Sequence, residues 1–222
     1  MVNSLMEVSM KSELIKYIEE NIYPLYEKND WAHQLWHIRE VVERSLRLAK
    51  NYPVNKEMVY VIASFHDLGC HIDRENHEKI SAELMENDPF IQKYFTADDV
   101  QIMKEAIVDH RGSLEYEPRS IYGKIIASAD RFTTIEGILR STHSYTLEFY
   151  PDVPWEEMIQ ISYSYIKKKY GQGGYAKSPI PNPEFEQFLI DVNRYLDDSK
   201  LFSKKLEEID RFLRDEYSLD KR

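Results

Sequence analysis

Residues 59–67 read Val59-Tyr60-Val61-Ile62-Ala63-Ser64-Phe65-His66-Asp67, an apolar run that ends in an imidazole and a carboxylate. A helix that is apolar on every side belongs in a protein core, so we expect this run to be buried. An unpaired carboxylate is costly to bury, and a cation or strong hydrogen bonds must offset that cost. The sequence therefore predicts that His66 and Asp67 are ligands at the end of a buried helix.

The rest of the chain predicts an all-α fold, because apolar residues recur at helical spacing and strand signals are almost absent. We expect one helical domain over residues 1–222, with a core at about 20–145 and a C-terminal helical extension at about 146–222. Ser12, Asp30 and Thr96 are candidate helix caps, and Gly69 is the expected left-handed residue after the buried helix. Pro118 begins a predicted long helix through Phe132. Three further helices are expected at about 154–169, 184–198 and 200–217.

Composition narrows the class of partner and the compartment. The chain carries 29 basic and 39 acidic side chains, a formal net charge of −10, which argues against binding a nucleic-acid polymer or an anionic membrane. The single cysteine, Cys70, excludes an internal disulfide and fits a reducing compartment. No stretch approaches the ~20 apolar residues of a membrane span, and the first ten residues lack the pattern of a signal peptide. We expect a soluble, cytoplasmic protein.

Further ligand-type side chains lie on other apolar helix stripes. His37 shares a face with Val41 and Ser45, and His110 follows Met103 and Ala106 at helical spacing. His77 and Asp130 stand on similar stripes. One such histidine is usually a core residue, but four histidines with two aspartates favour a common site.

These residues lie in motifs that resemble those of the HD superfamily of metal-dependent phosphohydrolases, over roughly residues 30–140. The segments Trp36–Val42, Phe65–Gly69 and Ser128–Phe132 are similar to the family's first, second and last metal motifs. The segments that begin at His77 and Val108 are similar to the two extra histidine motifs of members that bind a second metal. The resemblance implies an HD-domain helical bundle with the following metal ligands: His37, His66, Asp67, His77, His110 and Asp130.

In that arrangement Asp67 bridges two divalent ions, and the resemblance implies attack of a metal-bound hydroxide on a small phosphate ester, such as a nucleotide. The metal count, one or two per chain, and its identity among Mn, Fe, Co, Ni, Zn and Mg stay open. The expected catalytic residues are Asp67, His66, Lys79 and Arg111. Lys79, Arg111 and Arg131 are adjacent to the ligand motifs and could neutralise phosphate oxygens.

Several alternatives stay open from the sequence. Cys70 is either a thiolate ligand or, more in keeping with its type, a buried thiol. The same six ligands also serve mixed-valent di-iron oxygenases, and a non-catalytic HD module with a binding or regulatory role is a third interpretation. A homodimer is an open alternative, since the Tyr-rich segment after residue 145 suits a subunit interface, a cover over the site or a plain helix core.

Overall fold

The structure is a computed structural model that describes residues 10–217, and within that range it is all-α, as predicted, with no strand. The expectation about a signal peptide falls largely on residues 1–9, outside the described residues. None of the described helices is long and apolar enough to cross a membrane. The α-helices are α1 Ser12–Tyr17, α2 Leu35–Ala49, α3 Lys56–Phe65, α4 His77–Glu86, α5 Pro89–Tyr94, α6 Ala97–Val108, α7 Ile121–Ala129, α8 Ile135–Phe149, α9 Trp155–Tyr170, α10 Pro183–Asp197 and α11 Ser199–Tyr217.

The chain divides into two compact units. Among the described residues, the first contains residues 10–130 together with Ser178–Pro181, and the second contains Arg131–Lys177 and residues 182–217. The predicted organisation, one helical domain with a core at about 20–145, stays a prediction.

Helix α3 is the centre of the first unit. Every residue from Met58 to Phe65 is buried, as expected of a helix that is apolar on all sides. Helices α2, α6 and α7 pack against it. The amphipathic α2 contributes Ile38, Val41 and Val42 to the same core. Burial on this scale is the main favourable contribution to folding.

Local signals account for several helix ends. The Thr96 hydroxyl accepts from the backbone N–H of Asp99, whose carboxylate accepts from that of Thr96, so the expected capping box is confirmed. Ser12 does not cap α1, because the preceding Lys11 occupies the cap position and no side chain caps this end. The first helix also leaves the α conformation at Ile18, before a 3-10 turn that contains Pro24. The segment Ile18–Ile22 is a π-helix, and the 3-10 turn over Tyr23–Lys28 has Pro24 near its start, where a proline N–H is not needed.

Gly69 is not a left-handed residue, and that prediction was wrong. Helix α3 ends at Phe65, Gly69 lies in a 3-10 turn over Leu68–His71, and the one described glycine with positive φ is Gly173. A Cβ atom at residue 69 would lie 2.8 Å from Ile80 Cβ and 2.9 Å from the His77 carbonyl oxygen. Glycine is needed here because α4 approaches the backbone closely.

The second unit contains the helices α8–α11. Those predicted at about 154–169, 184–198 and 200–217 are found within one residue of those bounds. The long helix expected through Phe132 was wrong at both ends: α7 begins at Ile121 and ends at Ala129. A separate helix, α8, follows Thr134, whose hydroxyl accepts from the Gly137 backbone N–H. The cap residue Thr134, in the short loop between α7 and α8, marks a break that the spacing of the apolar residues does not show.

Candidate metal centre

The six predicted ligands lie at the ends of helices in the first unit. His37 lies in the first turn of α2, and His66 and Asp67 directly follow α3. His77 is the first residue of α4, His110 is two residues beyond α6, and Asp130 directly follows α7. Ligands at helix ends can converge because the ends of packed helices meet at one side of the core.

Three of the histidines are held in the same way. The Nδ1 atoms of His66, His77 and His110 lie 2.8, 2.9 and 2.6 Å from the carbonyl oxygens of Ala63, Arg74 and Ile107, three residues earlier in each case. A carbonyl oxygen only accepts, so each Nδ1 carries a proton and donates it. The free lone pair of the neutral ring is then on Nε2, which is how metal-binding histidines are usually oriented.

The first group of ligand atoms consists of His37, His66, Asp67 and Asp130, all within 4.8 Å of one another. His37 Nε2 lies 3.1 Å from Asp130 Oδ1 and 3.6 Å from Asp67 Oδ2. His66 Nε2 lies 3.2 Å from Asp67 Oδ2 and 3.7 Å from Asp130 Oδ1. Two imidazoles and two carboxylates thus surround a single point.

The second group consists of Asp67, His77 and His110. Asp67 Oδ1 lies 3.4 Å from Nε2 of each histidine, and those two nitrogens lie 3.3 Å apart. The carboxylate of Asp67 therefore directs Oδ2 at the first group and Oδ1 at the second. This is the geometry of a bridging ligand.

The donor atoms fit divalent cations on the evidence of their own contacts. His66 Nε2 is buried and has no hydrogen-bond partner, although carboxylate oxygens face it. In the second group, two imidazole nitrogens that both carry lone pairs face each other. A cation in each group would satisfy these atoms, and mixed imidazole and carboxylate donors suit first-row metals.

Electrostatics in the first group favour a positive charge. Burial by itself lowers the pKa of His66, but Asp67 and Asp130 raise that pKa to about 10. Burial likewise raises the pKa of Asp67, but His66 and the other imidazoles hold it well below its ordinary value. Both carboxylates are therefore ionised at neutral pH, since the pKa of Asp130 is also strongly lowered by His37 and His66 against the opposing effect of burial.

A third set, His33, Asp67 and Cys70, also brings its ligand atoms within 4.8 Å of one another. Burial, the largest contribution, raises the pKa of the Cys70 thiol, and Asp67 raises it further. His33 Nδ1 is already held 2.8 Å from Asp30 Oδ1. A neutral thiol at this position agrees with the buried-thiol interpretation of Cys70.

Asn29 is a residue of the site that the sequence did not reveal. Its side chain is buried and donates to the Asp67 carbonyl at 2.9 Å and to the His33 carbonyl at 3.0 Å. Its Oδ1 accepts from the His71 backbone N–H at 3.1 Å. Asn29 thereby ties the segment before α2 to the segment that carries Asp67, and no local sequence pattern marks such a long-range contact.

Arg111 and Lys79, two of the basic residues predicted to lie near the substrate, contact other side chains of the protein. Arg111 lies 3.1 Å from both carboxylate oxygens of Glu78, and Lys79 is exposed, with Nζ 3.5 Å from Asn76 Oδ1. Asp109 is fully buried and is bound by the Arg119 guanidinium at 2.8 Å. The assignment of Lys79 and Arg111 to phosphate binding stays a prediction.

Part of the chain is similar to a known protein family. Residues 35–135 match the family model of the HD domain, and this match supports an HD-superfamily domain over that part of the chain. A protein of Clostridium beijerinckii described only as uncharacterized is 28% identical over 109 residues, which cover 45% of this chain and 66%, just under two thirds, of that protein. No solved structure matches the chain. The HD domain is that of a superfamily of metal-dependent phosphohydrolases, and the buried histidine and aspartate cluster fits metal binding.

Proposed function

We propose that the protein is a metal-dependent phosphohydrolase that acts on a small phosphate ester, such as a nucleotide or a related phosphomonoester or diester. The observation that carries the proposal is the position of Asp67, whose two carboxylate oxygens serve two separate groups of imidazole nitrogens. A site built for two adjacent cations suits the displacement of a group from phosphorus. The HD-domain match supports the same reaction class.

The residues of the site would leave it with a net positive charge when metal is bound, and that charge would attract an anion. Asp67 and Asp130 contribute two negative charges, so two divalent ions and one hydroxide leave a net local charge of about +1. When bound, such ions polarise a phosphoryl oxygen and lower the pKa of a bound water to ~7. The carbonyl oxygens of Ala63, Arg74 and Ile107 accept from the Nδ1 atoms of three imidazoles, so Nε2 of each ring is the atom that would hold a metal. An acidic protein can in this way attract a phosphorylated substrate at one place.

Arg111 is the basic residue that we favour for contact with the substrate. It is partly exposed, and its partner Glu78 follows the ligand His77 in α4. Exchange of Glu78 for a phosphate oxygen would place the guanidinium on the substrate without a change in the backbone. We propose this role for Arg111 in preference to Lys79, which is held at the helix surface.

The test uses protein treated with EDTA and reloaded separately with Mn, Fe, Co, Ni, Zn or Mg. Phosphate release is measured over a panel of nucleotides and sugar phosphates. We expect metal-dependent release that is lost in Asp67→Ala and retained in Asp98→Ala, a control at an exposed aspartate of α6. Oxygen consumption by the iron-loaded protein without phosphate release would instead establish the oxygenase. Metal binding without either reaction would establish a non-catalytic module.

A further inference from the structure

A stretch of the second unit has a charge opposite to that of the protein as a whole. Residues 158–177 contain four lysines, four tyrosines and no aspartate or glutamate, whereas the chain has a formal net charge of −10. Such a local excess of positive charge in an acidic protein creates a favourable potential for a small anion. The stretch comprises most of α9 and the glycine-rich loop that follows it.

Lys169, in the last turn of α9, is the centre of this stretch. Its Nζ lies 3.3 Å from the Tyr165 hydroxyl and 5.5 and 5.3 Å from the ring centroids of Tyr165 and Tyr170. Over residues 10–217 no carboxylate lies within ion-pair distance of Lys169, whereas Lys205 lies 2.7 Å from Glu136. Within the described part of the chain, Lys169 therefore has aromatic and hydroxyl neighbours and no carboxylate within ion-pair distance.

The glycine-rich loop after α9 packs against the backbone carbonyl of Lys169. The Ala176 backbone N–H donates to the Lys169 carbonyl at 2.9 Å, which folds the loop back over the helix end. A Cβ atom at Gly174 would lie 2.6 Å from that same carbonyl oxygen, so no larger residue fits there. The loop continues to Lys177, whose carbonyl oxygen accepts from Arg131 Nε at 3.1 Å.

This fold of the loop brings a second cation, Arg131, and the Tyr175 phenol near Lys169, whose own helix already supplies the Tyr165 phenol. Arg131 lies close enough to interact electrostatically with both Lys169 and Tyr175. Tyr165 and Tyr175 are 44% and 42% exposed, so solvent reaches both rings. A lysine placed only to complement the helix dipole needs none of these neighbours.

We propose that Lys169 is the centre of a binding site for a phosphate group, with Tyr165 and Tyr175 as hydrogen-bond donors and Arg131 as a second source of positive potential. Two cations with phenolic donors suit a dianionic phosphate better than a singly charged carboxylate. The site consists of residues of the second unit, and the proposal does not depend on hydrolysis at the metal centre.

The test measures binding of inorganic phosphate to EDTA-treated, metal-free protein by isothermal titration calorimetry at constant ionic strength. We expect saturable binding that is at least ten times weaker in Lys169→Met. Lys168→Met is the matched control, since it removes the same charge from the adjacent, exposed position and should change the dissociation constant less than twofold. No saturable binding to the wild-type protein, or equal weakening in both variants, would overturn the proposal.

A second measurement uses the wild-type protein alone and so does not depend on the folding of a variant. Reductive methylation followed by peptide mass spectrometry reports the accessibility of each lysine. Phosphate should protect Lys169 and leave Lys168 unprotected, and equal modification of Lys169 with and without phosphate contradicts the site. If the phosphate belongs to the substrate, Lys169→Met raises KM and leaves kcat largely unchanged. If it belongs to a separate effector, KM is unchanged and the response to added phosphate is lost.

Discussion

The Nε2 atoms of His77 and His110 lie 3.3 Å apart, although the two residues are 33 positions apart in the chain. Each ring donates its Nδ1 proton to a backbone carbonyl, so two lone pairs face each other across this gap. The arrangement is unfavourable without a proton or a cation between the nitrogens, and Asp67 Oδ1 completes a set of three donors around it.

The first prediction concerns the number of metal ions. Elemental analysis of protein purified without chelators should approach two metals per chain, and His110→Gln should lower that toward one, because the second group keeps only two donors. Turnover should fall far more than substrate affinity, since a second ion mainly stabilises charge in the transition state. His143→Gln is the control, because His143 lies in the second unit and belongs to none of the ligand groups. Unchanged metal content in His110→Gln would make His110 a core residue.

The second prediction concerns the close approach at Gly69. Gly69→Ala should force α4 away from the 3-10 turn, because the new methyl group would lie 2.8 Å from Ile80 Cβ. We expect a loss of about 1–3 kcal/mol in the free energy of unfolding and a lower metal content, since the His77 backbone is in the same contact.

Gly173→Ala is the control for Gly69→Ala, because it introduces backbone strain without moving a metal ligand. Its φ of +78° is unfavourable for alanine, but no atom lies within 4 Å of the new Cβ. This variant should lose about 1 kcal/mol and keep its metal. Equal metal content in both glycine variants would show that the position of α4 does not govern the second group.

The third prediction concerns Asn29. Asn29→Ala leaves the carbonyl oxygens of Asp67 and His33 without this donor, at a cost of about 1–3 kcal/mol for each buried group left unpaired. We expect a lower melting temperature and faster loss of metal to a chelator, because the backbone of Asp67 is no longer held. Asn51→Ala, at an exposed position, should match the wild type in both measurements. Wild-type metal release from Asn29→Ala would limit Asn29 to a role in folding.

The fourth prediction concerns pH and the pair His143 and Asp210 in the second unit, whose Nε2 and Oδ1 atoms lie 2.7 Å apart. Burial, the largest contribution, lowers the pKa of His143 below its ordinary 6.5, although Asp210 opposes this. The unfolded chain therefore binds the proton more readily, and the free energy of unfolding falls as the pH drops below about 6.5. The pKa of Asp210 is also lowered, by Arg214 and His143 against the effect of burial, which extends the loss below pH ~3.9.

Urea unfolding of EDTA-treated protein at pH 7.5 and pH 5.5, followed by circular dichroism, measures this dependence. The difference in unfolding free energy between the two pH values should be smaller in His143→Gln than in the wild type. The same subtraction removes the contributions of the other histidines, which both proteins share. Identical differences would show that His143 titrates alike in the folded and unfolded states.

Sequence reasoning predicted the helices well where a periodic stripe and a cap coincide. The helix α6 after the Thr96 capping box and the helix α10 after the Asn182 cap are of this kind, whereas α9 was predicted from its stripe alone and has no side-chain cap. It was wrong at Gly69, because two reasons for glycine, a positive φ and a close approach, look the same in a sequence. Helix α8 was missed because the chain turns at Thr134 within an apolar region.

The site was partly predictable for a different reason. Ligand types could be chosen because imidazoles and carboxylates on apolar stripes are unusual, and the HD resemblance joined them into one set. The sharing of Asp67 between the two groups came from that resemblance, since helical spacing fixes the direction of a side chain and gives no distance between helices. The contacts of Asn29 join residues 38 and 42 positions away, and no local pattern encodes them.

The shared carboxylate of Asp67 has a consequence for how the protein would respond to its surroundings. Two cations on one carboxylate repel each other, so the second would bind more weakly than the first. The half-filled state would then dominate wherever free metal is scarce. If turnover requires both ions, as the proposed reaction implies, the rate would depend on the concentration of free metal over a range set by the weaker affinity. The activity of the protein would then respond to changes in the metal concentration around it.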